Sequence, residues 1–128
     1  MINDAHCHFL SPQFFGTLAR QQLAMRAAPS AAVAASASEI YRELNWDDPL
    51  AAETLADRWV TELDRHGVNR AVLIASVPDD ETSVAEAVAS HPSRFVGFFM
   101  LDPSATDSSE RARRAIEDLP AVERQPGA

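Results

Sequence analysis

A chain of 128 residues, 46% hydrophobic and 23% charged, has enough apolar material for one domain with its own core. Its formal net charge of -8 excludes the basic face that nucleic acid or an anionic membrane surface needs in a partner, which leaves small molecules and proteins. One cysteine makes no internal disulfide, no basic and apolar leader opens the chain, and no apolar run approaches the ~18 residues of a membrane span, so a soluble cytoplasmic chain is expected.

The first eight residues, Met1-Ile2-Asn3-Asp4-Ala5-His6-Cys7-His8, read as a short strand ending in a His-x-His pair. Side chains alternate faces along a strand, so His6 and His8 point the same way about 7 Å apart, a spacing that suits two imidazoles on one metal ion. By the same alternation Asp4 shares their face one pleat deeper, and Cys7 points away. Two histidines on a solvated strand are the bland alternative. The pair's position favours chemistry: it lies at the C-terminal end of a strand, where ligand sites of α/β folds gather.

Ser11 caps a helix with Pro12 in its first turn, and Phe14, Leu18, Leu23 and Met25 give it an apolar face to about Ala28, before Pro29. Residues 29–38 are uncharged and low in complexity, and poor order is expected there. A short helix over 39–46 and a cap at Asp47-Asp48-Pro49 follow. Leu55, Trp59 and Leu63, flanked by Ala56 and Val60, form the buried stripe of a helix that Gly67 stops, with His66 in its last turn. The run from Ala71 to Ala75 reads as a strand covered on both faces. Pro78-Asp79-Asp80 opens a helix with Val84, Ala87 and Val88 inward, which His91-Pro92 ends. A third strand is expected over residues 95–101. Ser104 or Asp107 then caps a last helix with Ala112, Ala115, Ile116 and Leu119 inward, closed by Pro120.

Strands alternating with helices imply right-handed crossovers and a parallel sheet. Its strand-end side carries His6 and His8, with Asp79, Asp80 and Asp102 nearby, while His66 and His91 fall on the opposite side. A catalytic zinc takes three protein ligands plus water, so the two imidazoles are short of a complete site. The three aspartates read more readily as helix caps and loop solvation than as ligands. Three parallel strands also leave two open edges.

Asp4-x-His6-x-His8, together with His91-Pro92-x-Arg94-Phe95-x-Gly97-x-x-x-Leu101-x-Pro103, resembles the amidohydrolase-related (amidohydrolase-2) family of the amidohydrolase superfamily, which includes aminocarboxymuconate semialdehyde decarboxylase. The resemblance covers residues 1–119. It implies an α/β fold that is part of a (β/α)8 barrel, about the first three β/α units of a domain that runs to roughly 250 residues when whole. Residues 29–46 would be an excursion after strand one and 120–128 an unstructured tail. It further implies a divalent metal, usually zinc, on His6 and His8, with Asp4 orienting a neighbouring ligand from behind. The reaction would be hydrolysis or decarboxylation of a small carboxylated, amide or ester substrate. The family's remaining ligands and its acid or base belong to later strands, so no catalytic residue is assigned. The expectation is an N-terminal part of such an enzyme, inactive alone. The alternative is a non-catalytic half-barrel that binds a partner or its own copies as a homo-oligomer.

Overall fold

Three strands pair in chain order into one parallel sheet, β1 (Ile2–Phe9), β2 (Val68–Ala75) and β3 (Phe95–Phe98). The computed structural model describes residues 1–25 and 36–117. Helices α1 (Pro12–Met25), α2 (Ala37–Glu43) and α3 (Ala52–Arg65) connect β1 to β2, α4 (Glu81–Ser90) connects β2 to β3, and α5 (Ser108–Glu117) follows.

Strands adjacent in sequence are adjacent in the sheet, and crossovers of one hand then place their helices on one face. The main core lies there. Cys7 and Phe9 of β1, Ala71, Leu73 and Ala75 of β2 and Phe95 of β3 meet Leu55, Ala56 and Leu63 of α3 and Val84, Ala87 and Val88 of α4. The other face carries Val72 and Ile74, half-buried, beside Val96 and Phe98, 36% and 56% exposed. The expectation of a β2 covered on both faces is therefore corrected to cover on one. An apolar run does not say which of its two faces this chain's own helices cover.

A second, smaller cluster joins α1 to α2 through Phe15, Ala19 and Ile40, with Phe14, Leu18 and Tyr41 against it. Helix α2 begins with a capping box in which Ser36 Oγ accepts from the Glu39 amide and the Glu39 carboxylate accepts from the Ser36 amide. It thus starts two residues before the expected 39–46 and ends at Glu43. The rest of the stretch expected to be poorly ordered, the predicted end of α1 near Ala28, and the tail 120–128 lie outside the described residues.

Helix α3 starts at Ala52, with Ala51 in the cap position and no side-chain cap. Asp48, expected there as a cap, accepts instead from the Leu50 amide and the Tyr41 hydroxyl, while Asp47 pairs with Arg58. In α5 Ala115 is buried as expected but Ile116 is exposed, and Leu119 lies outside the described residues. β3 stops at Phe98, three residues before its expected end.

The His91-to-Gly97 motif builds the sheet side far from His6 and His8. His91 caps α4, its carbonyl accepts from the Arg94 and Phe95 amides, and its Nε2 lies 2.6 Å from Asp57 of α3. Arg94 donates to the Asn69 and Val68 carbonyls and pairs with Asp64, which ties the entry of β3 to β2 and α3. At Gly97 a Cβ would lie 2.7 Å from Val84 Cγ1 and 3.2 Å from Val88 Cγ2, so only glycine lets β3 lie this close to α4.

Candidate metal centre

A bulge in β1 aims the histidines. Asp4 pairs with Ala71 and Cys7 with Leu73, so three steps on β1 oppose two on β2. The irregularity puts Asp4 on the side of Ala71 and Cys7, whereas His8 pairs with Ile74 on the open face. Strict alternation, which placed Asp4 beneath the two imidazoles, fails at this extra residue. The Asp4 carboxylate accepts from the His6 backbone amide at 3.1 Å and from the Cys7 thiol, and both bonds hold its carboxyl below the usual carboxylate range. Cys7 is buried beneath it, and that burial, with the Asp4 charge beside it, pushes the thiol up to about 12. It stays protonated.

His6 and His8 share one face, with ring centroids 5.1 Å apart and planes at 68°. Their Nε2 atoms converge to 3.3 Å. Two nitrogens bound at ~2.05 Å to one tetrahedral ion are separated by roughly the same 3.3 Å, so the pair has the spacing of two ligands on one ion. On the other side of the His8 ring, Nδ1 lies 3.2 Å from Ser76 Oγ, at the end of β2.

The other acids at this end are engaged elsewhere. Asp80 is buried and accepts hydrogen bonds from Ser11 Oγ and from Ser83 Oγ, the latter at 2.5 Å. Asp79, at a positive φ of 72°, and Glu81 both pair with Arg111 of α5. Asp102 accepts from the Ser104 hydroxyl and amide, which hold its carboxyl low. Among the described residues no group of three or more His, Cys, Asp or Glu side chains is placed to hold a metal ion. His66 lies beside Glu62 at the end of α3 and His91 beside Asp57, both away from the pair. Sequence reasoning named His6 and His8 but missed Ser76, a lone serine at a strand end with nothing in its surrounding pattern to mark it.

The fold and this site define a class: a small parallel α/β sheet, wound in one direction, with a His-x-His pair at the end of its first strand. No family model and no curated protein matches the sequence. Among solved structures the fold is similar to that of 4-oxalomesaconate hydratase from Rhodopseudomonas palustris, with a TM-score of 0.56 at 16% identity over 95% of this chain. That overlap spans 41% of the hydratase chain. At such low identity the likeness concerns the fold alone. Among the described residues no helix is long and apolar enough to cross a membrane.

Proposed function

We propose that this chain carries two metal ligands, His6 and His8, of a metal-dependent enzyme of the amidohydrolase-related type, as its N-terminal barrel segment. The observation that carries the reading is the 3.3 Å convergence of the two Nε2 atoms. The motif resemblance and the fold likeness to a hydratase support it from independent directions. A divalent ion such as zinc would supply Lewis acidity toward water and substrate oxygens. The chain's own residues do the holding: the two Nε2 atoms converge on one face, and Asp4 fixes the backbone of His6 through its amide. The substrate class is a small carboxylated, amide or ester compound, and the reaction is hydrolysis, decarboxylation or addition of water.

Two imidazoles alone bind far more weakly than the ~10–16 kcal/mol of a complete structural zinc site. The 128-residue chain is therefore expected to compete only feebly with a chromophoric chelator for zinc, and to show no turnover. His6→Ala and His8→Ala should each abolish the competition. Wild-type zinc uptake in both variants would remove the reading.

The open sheet face favours a second reading, a non-catalytic half-barrel that self-associates. Val72, Ile74, Val96 and Phe98 form a continuous apolar surface of the kind that marks an interaction site. Light scattering over a concentration series should then give a mass that rises to a dimer or beyond. A constant monomer mass would exclude it.

A further inference from the structure

The His8 ring meets His6 through Nε2 and the Ser76 hydroxyl through Nδ1. The hydroxyl oxygen lies 3.2 Å from His8 Nδ1 and 3.5 Å from the carbonyl oxygens of Phe9 and Ile74. Carbonyl oxygens accept and never donate. A hydroxyl has one proton, and either of those carbonyls can accept it. The hydroxyl oxygen is then left to accept from His8 Nδ1–H.

We propose that Ser76 is a positioning residue that holds His8 in its Nδ1–H tautomer, leaving the Nε2 lone pair free on the open face for a divalent cation. The proposal rests on the metal-centre reading of His6 and His8. A proton on one ring nitrogen leaves the other as the ligand, so whatever bonds Nδ1 decides whether Nε2 can coordinate. The reverse arrangement, Ser76 O–H donated into Nδ1, would put the ring proton on Nε2 and bar His8 from the ion. The two histidines are unequal in this respect. In the metal-free chain the 3.3 Å contact between the Nε2 atoms needs one proton, and with His8 set by Ser76 it belongs to His6. His8 is ready to ligate before the ion arrives. His6 must move its ring proton from Nε2 to Nδ1.

Long-range proton–nitrogen correlation spectra of the labelled, metal-free chain at about pH 8, where an ordinary imidazole is neutral, read the tautomers directly. His8 is expected to show a protonated Nδ1 and an unprotonated Nε2, and His6 the opposite. Ser76→Ala should move His8 toward the Nε2–H form and weaken zinc binding by about ten- to a hundred-fold, the usual loss when a ligand's outer partner is removed. Ser76→Thr keeps the hydroxyl and should restore both. The urea midpoint of Ser76→Ala should stay near wild type, which separates positioning from folding. An Nε2–H tautomer of His8 in the wild type would overturn the proposal, as would a Ser76→Ala variant with unchanged tautomer and unchanged zinc affinity. A wild type that binds no zinc overturns the ligand half of the proposal along with the metal-centre reading. The spectra still decide whether Ser76 sets the ring.

Discussion

Phe95→Ala is expected to lower the unfolding free energy by about 3–5 kcal/mol, whereas Phe98→Ala, three residues along the same strand, should cost about 1 kcal/mol at most. Phe95 is 1% exposed, sits in the core between the sheet and its helices, and meets the His91 ring in a T-shaped contact at a centroid distance of 6.0 Å. Truncation there leaves a cavity that α4 cannot close, because Gly97 already holds β3 hard against Val84 and Val88. Phe98 points to the opposite face and is 56% exposed. Against a typical domain stability of ~5–15 kcal/mol, the first change consumes a large share and the second little. Urea denaturation of the two variants measures the difference. Equal losses would mean that both faces of the sheet are packed and that the single-sided core described above is wrong.

That asymmetry is what the sequence concealed. Residues 71–75 and 95–101 are apolar at every or nearly every position, so both strands and their parallel pairing were legible, but the alternation that would reveal a one-sided core is absent. Period-two reasoning did place His6 and His8 together. It misplaced Asp4 because a single extra residue in β1 reverses the phase, and a bulge leaves no mark in composition. The Ser36-to-Glu39 capping box stood in plain view as Ser-x-x-Glu, yet the alanine-rich run before it diverted the helix start by two residues. Asp79 and Asp80 follow β2, and Asp102 follows β3, in the loops beyond the strand ends. Sequence spacing could not say that Ser11 and Arg111 already occupy Asp80 and Asp79, since those contacts join segments far apart in the chain, whereas the Ser104 contact to Asp102 is local.

Asp80→Ala should destabilise the fold by about 1–3 kcal/mol and disturb the histidine site at the same time. Asp80 is 2% exposed, and its carboxylate accepts from Ser11, which is wholly buried, and from Ser83. Ser11 Oγ in turn accepts from the Phe14 amide at the start of α1. One side chain thus joins the turn after β1 to the turn after β2. Its removal leaves the Ser11 hydroxyl proton buried with no acceptor, while Ser83, only half-buried, can turn to water. On either side of it in sequence, Asp79 and Glu81 hold Arg111, so the same short loop also anchors α5. Ser76 lies four residues before Asp80, at the root of this loop. Releasing the Ser11 tie should let the loop move and lengthen the contact between Ser76 and His8. The expected result is a lowered urea midpoint together with shifted imidazole resonances of His8, and a smaller change in both for Asp80→Asn, which keeps one acceptor oxygen for Ser11. A lowered midpoint with His8 undisturbed would show that the loop's anchor and the imidazole's support are separate, and an unchanged midpoint would remove Asp80 from any part in holding the two turns together.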